Sequence, residues 1–324
     1  VKNLAISLAV ATLASGCSGE PVSLGLDEPI RVSYSDATIL AQFEKGSLPG
    51  KTKGEPVDPQ ITSGSATRGR ITGAGATGYQ LSGLASTDAY SVAFQLEDAG
   101  TGYWLFPLGA PDDANGGQLQ WNIKVDLAQT VPTGLQRLVG VAFDAKGKAG
   151  SQFAIPFCVK PLVPDNLNAC DDTIEPPNLV VSLDWDRAVD LDLKVVTPDG
   201  KVVDSKHPTT APDDETGKSD PTVDGTGILD RDSNRGCVID GFSRENLVFQ
   251  KKPPAGIYTV YASLFDICGE SAVRYNLSTH VEVEGNESGT FGVEQTFRTS
   301  GVLRAIEASG GKTLGAYITQ IEVQ

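Results

Sequence analysis

The residues with most chemical capacity in this sequence are carboxylates, and their spacing is ordered. Residues 181–195 read VSLDWDRAVDLDLKV. Taken two apart, Val181, Leu183, Trp185, Val189, Leu191, Leu193 and Val195 share one face, and Asp184, Asp186, Asp190 and Asp192 share the other, with Arg187 the exception on the apolar side. This is the period of a half-buried strand, or of two strands around a turn at Arg187-Ala188. Aspartate is a poor strand former, so four on one face need compensation. A second block, Asp230-Arg231-Asp232-Ser233-Asn234, alternates oxygen-bearing side chains as calcium loops do at their start. It is not an EF-hand: Arg235 stands where the turn glycine belongs, Gly236 is one residue late, and Gly241 replaces the closing glutamate. The expected site is therefore a calcium site at a sandwich edge, drawing on Asp190, Asp192, Asp230, Asp232 and Asn234, with Glu245 as a bidentate ligand. Between Asp184 and Glu245 acidic residues exceed Lys and Arg by 7, out of a net charge of −15 for the chain. The competing reading is a solvated acidic face paired with Arg187, Arg231, Arg235 and Arg244, since surface carboxylates are common without a ligand.

Other chemistries find less support. The chain holds many carboxylates but nothing that marks a proton donor for glycoside hydrolysis. His207 and His280 lie near no nucleophile elbow, as serine hydrolysis requires. His207 precedes Pro208 in a polar loop, and His280 alternates with Val281 and Val283, which points its ring to solvent. Gly73 to Gly78 spells GxGxxG but leads into Tyr79-Gln80-Leu81 rather than a helix, so it reads as a turn. Among the tryptophans, Trp185 falls on the apolar face, and Trp104 in GYWLF is the best placed to stack on a sugar. No catalytic role is assigned. The acidity also disfavours a nucleic-acid partner, because it repels phosphate backbones.

The elements that position these residues are short strands. Gly 36 and Pro 19 are abundant, and long amphipathic helical periods are missing. Strands are expected at Tyr79–Leu81, Ala89–Leu96, Gly102–Pro107, Gln118–Leu127, Gln136–Phe143 and Ser151–Cys158. The last two, joined by Asp144-Ala145-Lys146-Gly147, resemble the final hairpin of bacterial immunoglobulin-like modules. The chain thus divides into a signal (1–16), a flexible tether (17–67) with an edge strand near Ile30–Phe43, an immunoglobulin-like sandwich (68–160), a Pro- and Asp-rich linker (161–178) and a second sandwich (179–324). The fold class is all-β, with two β-sandwich domains.

The N-terminal residues carry their own chemistry. Lys2 is followed by an apolar stretch from Leu4 to Leu13, too short to span a bilayer as a stable helix, and then by Ala14-Ser15-Gly16 before Cys17. This order resembles the lipobox of bacterial lipoproteins. The resemblance implies export, cleavage before Cys17 and a covalent lipid on its thiol, hence a membrane partner through the anchor. Ala14 departs from the leucine commoner at that position. Ser18, where an aspartate resembles an inner-membrane retention signal, favours the outer membrane, with the domains facing the periplasm or the surface. With Cys17 lipidated, Cys158, Cys170, Cys237 and Cys268 remain. An even remainder in an oxidising compartment points to two disulfides, and of the three pairings Cys158–Cys170 and Cys237–Cys268 keep each bond within one domain. A zinc site is disfavoured, since CxxC spacing is missing.

One stretch resembles a known family. The order WDRAVDLDLKVVTPDG (185–200), LDRDS (229–233), ENLVF (245–249) and PAGIYTVY (254–261) is similar to the YfaP-type domain of extracytoplasmic bacterial proteins, over residues 179–283. The resemblance implies a jelly-roll-like β-sandwich and no particular substrate. This chain departs from the pattern in loop 205–226, which lacks a clear glycine pair, and in the presence of Cys237 and Cys268. The functional expectation is a non-catalytic binding or structural module of the cell envelope, calcium-stabilised, whose partner is an envelope protein or a polysaccharide. A carbohydrate-binding accessory lipoprotein and, behind it, a secreted hydrolase are the alternatives.

Overall fold

A computed structural model describes residues 25–35, 41–66, 69–211 and 219–324. The expected signal and the Cys17 anchor lie outside the described residues. The strands in chain order are β1 (Ile30–Tyr34), β2 (Gln42–Lys45), β3 (Ile61–Ala66), β4 (Ile71–Gly73), β5 (Tyr79–Ala85), β6 (Ser91–Leu96), β7 (Gly102–Pro107), β8 (Leu119–Leu127), β9 (Gly134–Phe143) and β10 (Ala149–Lys160). They form a sheet of order β1-β8-β5-β3 facing one of order β2-β7-β6-β9-β10-β4. Alternate residues of each meet between them: Leu81, Trp121 and Ile123 from one sheet, Phe94, Leu138, Ile155 and Phe157 from the other. Trp104, the tryptophan best placed to stack on a sugar had it been exposed, is in this core, and its Nε1 donates to the Ile30 carbonyl at 2.8 Å.

The predicted hairpin is β9–β10. Its turn is held by Asp144, whose Oδ1 accepts from the Lys146 and Lys148 amides, and Gly147 supplies the left-handed residue at φ 80°. The expected tether needs correction over the described residues 25–35 and 41–66. β1 pairs with β8, β2 with β7 and β3 with β5, so this segment builds the first sandwich. Its strands complete sheets whose centres lie far away in sequence, and short edge strands carry little periodic signal.

The second sandwich comprises β11 (Leu179–Trp185), β12 (Asp190–Val196), β13 (Val202–Val203), β14 (Gly227–Leu229), β15 (Arg244–Phe249), β16 (Gly256–Asp266), β17 (Ala272–Glu284), β18 (Phe291–Arg304) and β19 (Ala316–Val323). Its sheets are β14-β15-β11-β17-β18 and β13-β12-β16-β19. The alternation along 181–195 does not belong to one strand, because the chain crosses from the first of these sheets to the second at residues 186–189. Val181, Leu183 and Trp185 therefore meet Leu191, Leu193 and Val195 across one core. The aspartates, read as one face in the sequence, end on opposite outer sides: Asp184 on the five-stranded sheet, Asp190 and Asp192 on the four-stranded one.

The two disulfides are Cys158–Cys170 and Cys237–Cys268. The linker between the sandwiches is tied to both: the first bond returns it to β10, and Asn168 Nδ2 donates to the Phe291 carbonyl at 3.0 Å.

Candidate metal centre

β12 alternates Leu191 and Leu193 into the core, which sends Asp190 and Asp192 outward, two residues apart on one side. Neither is left in water. Their residues are 2% and 3% exposed, because the loop that follows β14 folds over them. That loop is fixed at several points. Ser233 N donates to Glu245 Oε1 at 3.0 Å, and Ser233 Oγ to the Arg244 carbonyl at 2.7 Å. Asn234 Nδ2 donates to the Val189 carbonyl, and Gly236 N to Asp190 Oδ2 at 2.6 Å. Asn234, Gly236 and Cys237 all adopt positive φ, a conformation that asparagine and glycine tolerate best. The Cys237–Cys268 bond then staples the loop to the end of β16, where Asp266 lies opposite Asp190.

The result brings Asp190, Asp192 and Asp232 together, with one carboxylate oxygen from each within 4.8 Å of the others. Burial pushes the Asp190 carboxyl up to about 6, and Asp192, Asp232 and Asp266 add to the rise against the Gly236 hydrogen bond. Burial likewise raises Asp192 to about 6, opposed by Lys194 and by a 3.2 Å hydrogen bond from Ser205 Oγ. Asp232 is raised by burial and by Asp240, against Arg235. Compensation by cations is thin. Lys194 Nζ, on the Thr313 carbonyl at 2.9 Å, is shared with Asp204 at 4.0 Å, and Arg235, 3.5 Å from Asp232, is largely in solvent. Among the described residues, the hydrogen bond that reaches the Asp190 carboxylate is the one from Gly236, at Oδ2. Buried carboxylates without paired cations either take up protons or bind a metal.

Three other predicted ligands do not join this group. Asp230 turns to β15, accepting from Asn246 N and Nδ2 at 2.9 Å each. Asn234 uses its amide to hold the loop. Glu245 points inward between the sheets, where its two oxygens take the Leu193 and Ser233 amides, so it is a structural brace. Burial holds its carboxyl well above the ordinary range, with the two backbone hydrogen bonds opposing. Sequence reasoning missed Asp266 and Ser205, which border the cluster. Asp266 sits two residues before Cys268, and that spacing was the available signal. Cys237, Asp266 and Cys268 also lie close together, but both sulfurs are in the disulfide, so no thiolate is left for zinc.

The donor set is all carboxylate oxygen, which suits a hard cation such as calcium over zinc or copper. Asp190, Asp192 and Asp232 would hold such an ion, and its charge would take the place of the missing cations.

No family model and no curated protein matches this chain. Two solved structures are similar to it in part. One is the C-terminal domain of the Streptococcus pyogenes antigen I/II-family protein AspA, at 10% identity, covering 72% of this chain and 94% of that one, with a TM-score of 0.25. The other is the C-terminal domain of the Streptococcus agalactiae AgI/II polypeptide BspA, at 10% identity, covering 70% and 94%, with a TM-score of 0.23. TM-scores this low define no shared function. What the structure itself shows is an all-β chain of several sheets packed as sandwiches.

Proposed function

We propose that this protein is an exported, lipid-anchored and non-catalytic module of the bacterial outer membrane, acting in binding or structure, whose second sandwich is completed by calcium. The observation that carries the calcium reading is the Asp190–Asp192–Asp232 group, two of whose members are almost fully buried. The anchor reading rests on Cys17 behind Ala14-Ser15-Gly16. An envelope protein or a polysaccharide is the partner class that fits an anchored, acidic, all-β module.

The test is thermal unfolding in EDTA and in millimolar calcium. An ion present at a hundred times its Kd stabilises by about 2.7 kcal/mol. For a domain of this size that is a rise of roughly 5–10 °C. An unchanged unfolding temperature contradicts the proposal.

A further inference from the structure

A different part of the molecule holds an unexplained concentration of unpaired polar atoms. Among the described residues, 8 buried side-chain atoms lack a hydrogen-bond partner. Four of them are Ser182 Oγ, Arg244 Nε, Arg244 Nη1 and Asn246 Oδ1. These residues are neighbours on β11 and β15, where Ser182 lies opposite Asn246 and Asp184 opposite Arg244. Such atoms are costly when left unpaired, more so if charged, so a cluster of them calls for an explanation.

Arg244 is the centre. Its nearest acid, Asp184, is 3.8 Å away, too far for a hydrogen bond, and the other Asp184 oxygen already accepts from Asn276 Nδ2 at 2.9 Å. The guanidinium therefore makes no hydrogen bond among the described residues. It lines two adjoining clefts of about 640 Å³ each, formed where the linker segment Lys160–Asp165 crosses the outer face of the five-stranded sheet. Pro161 and Pro164 in that segment bring no N–H.

The clefts carry a small excess of cations in an acidic chain. Lys160, Arg231, Arg244 and Arg298 line them, with His280 beside Arg244. Three acids share the lining: Asp165 accepts from the Leu167 and Ala169 amides, Asp184 from Asn276, and Asp230 from Asn246 and from Arg231 Nε at 3.2 Å, so the four cations exceed the acids by one. Gln129, which lines both clefts, and Gln295 offer amides to hydroxyl groups. Phe242 is 54% exposed at the rim, with the Arg231 guanidinium 4.2 Å from its ring centre. Cations, amides and one exposed ring match three features of an acidic sugar: a carboxylate, hydroxyls and an apolar ring face.

We infer that these clefts form a binding site for a uronic-acid-containing saccharide, with Arg244 receiving the carboxylate. Its free N–H groups are shielded from solvent, so seating the ligand turns the guanidinium toward the cleft, a rotation that breaks no hydrogen bond and exchanges the 3.8 Å ion pair with Asp184 for one with the ligand. The inference rests on the reading of the chain as a binding module and names its ligand class, and it uses none of the carboxylates of the calcium group.

The experiment is calorimetric titration of the folded chain with trigalacturonic acid in EDTA, with maltotriose and citrate as controls. Working in EDTA separates this site from the calcium reading, which can fail without affecting the outcome here. Saturable binding to trigalacturonic acid is expected, at least tenfold weaker in Arg244→Gln, several-fold weaker in Arg298→Gln, and weakened by salt. Arg298 is exposed on β18, so its variant keeps the test open if Arg244→Gln does not fold. The inference is overturned if the wild type does not bind, if both variants bind unchanged, or if maltotriose or citrate binds as well as the acidic trisaccharide.

Discussion

Glu245 on β15 accepts the backbone N–H of Leu193 on β12 at 2.7 Å, joining the two sheets of the second sandwich through a buried carboxylate. Its other oxygen takes Ser233 N, which fixes the loop carrying Asp232. One side chain thus links the sheet edge, the loop and the acidic group. Removing it leaves two buried amides without acceptors, at about 1–3 kcal/mol each. Glu245→Ala should unfold at markedly lower urea than wild type, with Glu245→Gln in between. A loss no larger than that of a surface substitution would count against the brace.

The acidic group sets a pH dependence of definite sign. Asp190 and Asp192 are raised to about 6 in the folded chain from an ordinary value of 3.8. Between these values the folded state holds more protons than the unfolded one, so stability falls as pH rises. In EDTA, wild type should gain stability from pH 7 to pH 5 relative to Asp190→Asn/Asp192→Asn. Calcium competes with those protons, so its effect on unfolding should be present at pH 7.5 and largely lost at pH 5. A calcium effect that persists unchanged at pH 5 would place the ion elsewhere.

The Cys237–Cys268 bond closes a separation of 31 residues and pins Gly236 against Asp190. Chain entropy assigns such a loop about 3–4 kcal/mol. The Cys237→Ser/Cys268→Ser variant should unfold more easily by that order and bind calcium at least tenfold more weakly. Unaltered calcium affinity in a folded variant would show that the loop holds its place without the bond.

The lipid anchor has a direct cellular test. Cys17→Ser should move the protein from the membrane fraction to the soluble envelope fraction. Retention in the membrane would contradict anchoring through this residue.

Much of the frame was legible in the sequence because strict alternation reports burial. The hairpin β9–β10 and the core faces of β11 and β12 are cases in point. Alternation does not report which sheet a strand joins. Asp184 and Asp192 share a face in the sequence, yet the crossing between β11 and β12 sends them to opposite sides of the sandwich. Likewise Asp230-x-Asp232-x-Asn234 reads as one ligand loop, but only Asp232 reaches the group, since Asp230 is captured by Asn246. β1 falls within the edge strand expected near Ile30–Phe43, whereas β2 and β3 were hidden because each is short and is completed by a strand distant in sequence. The Arg244 clefts were hidden for a related reason: their walls come from the linker, β15 and β18, which no local pattern connects.

The calcium ion proposed between Asp190, Asp192 and Asp232 can be counted. Equilibrium dialysis of the EDTA-stripped chain against radioactive calcium at pH 7.5 tests it most directly. Saturable binding is expected in wild type and should be lost in Asp190→Asn/Asp232→Asn, both proteins being folded by circular dichroism. No saturable binding in wild type, or equal binding in the variant, would contradict it.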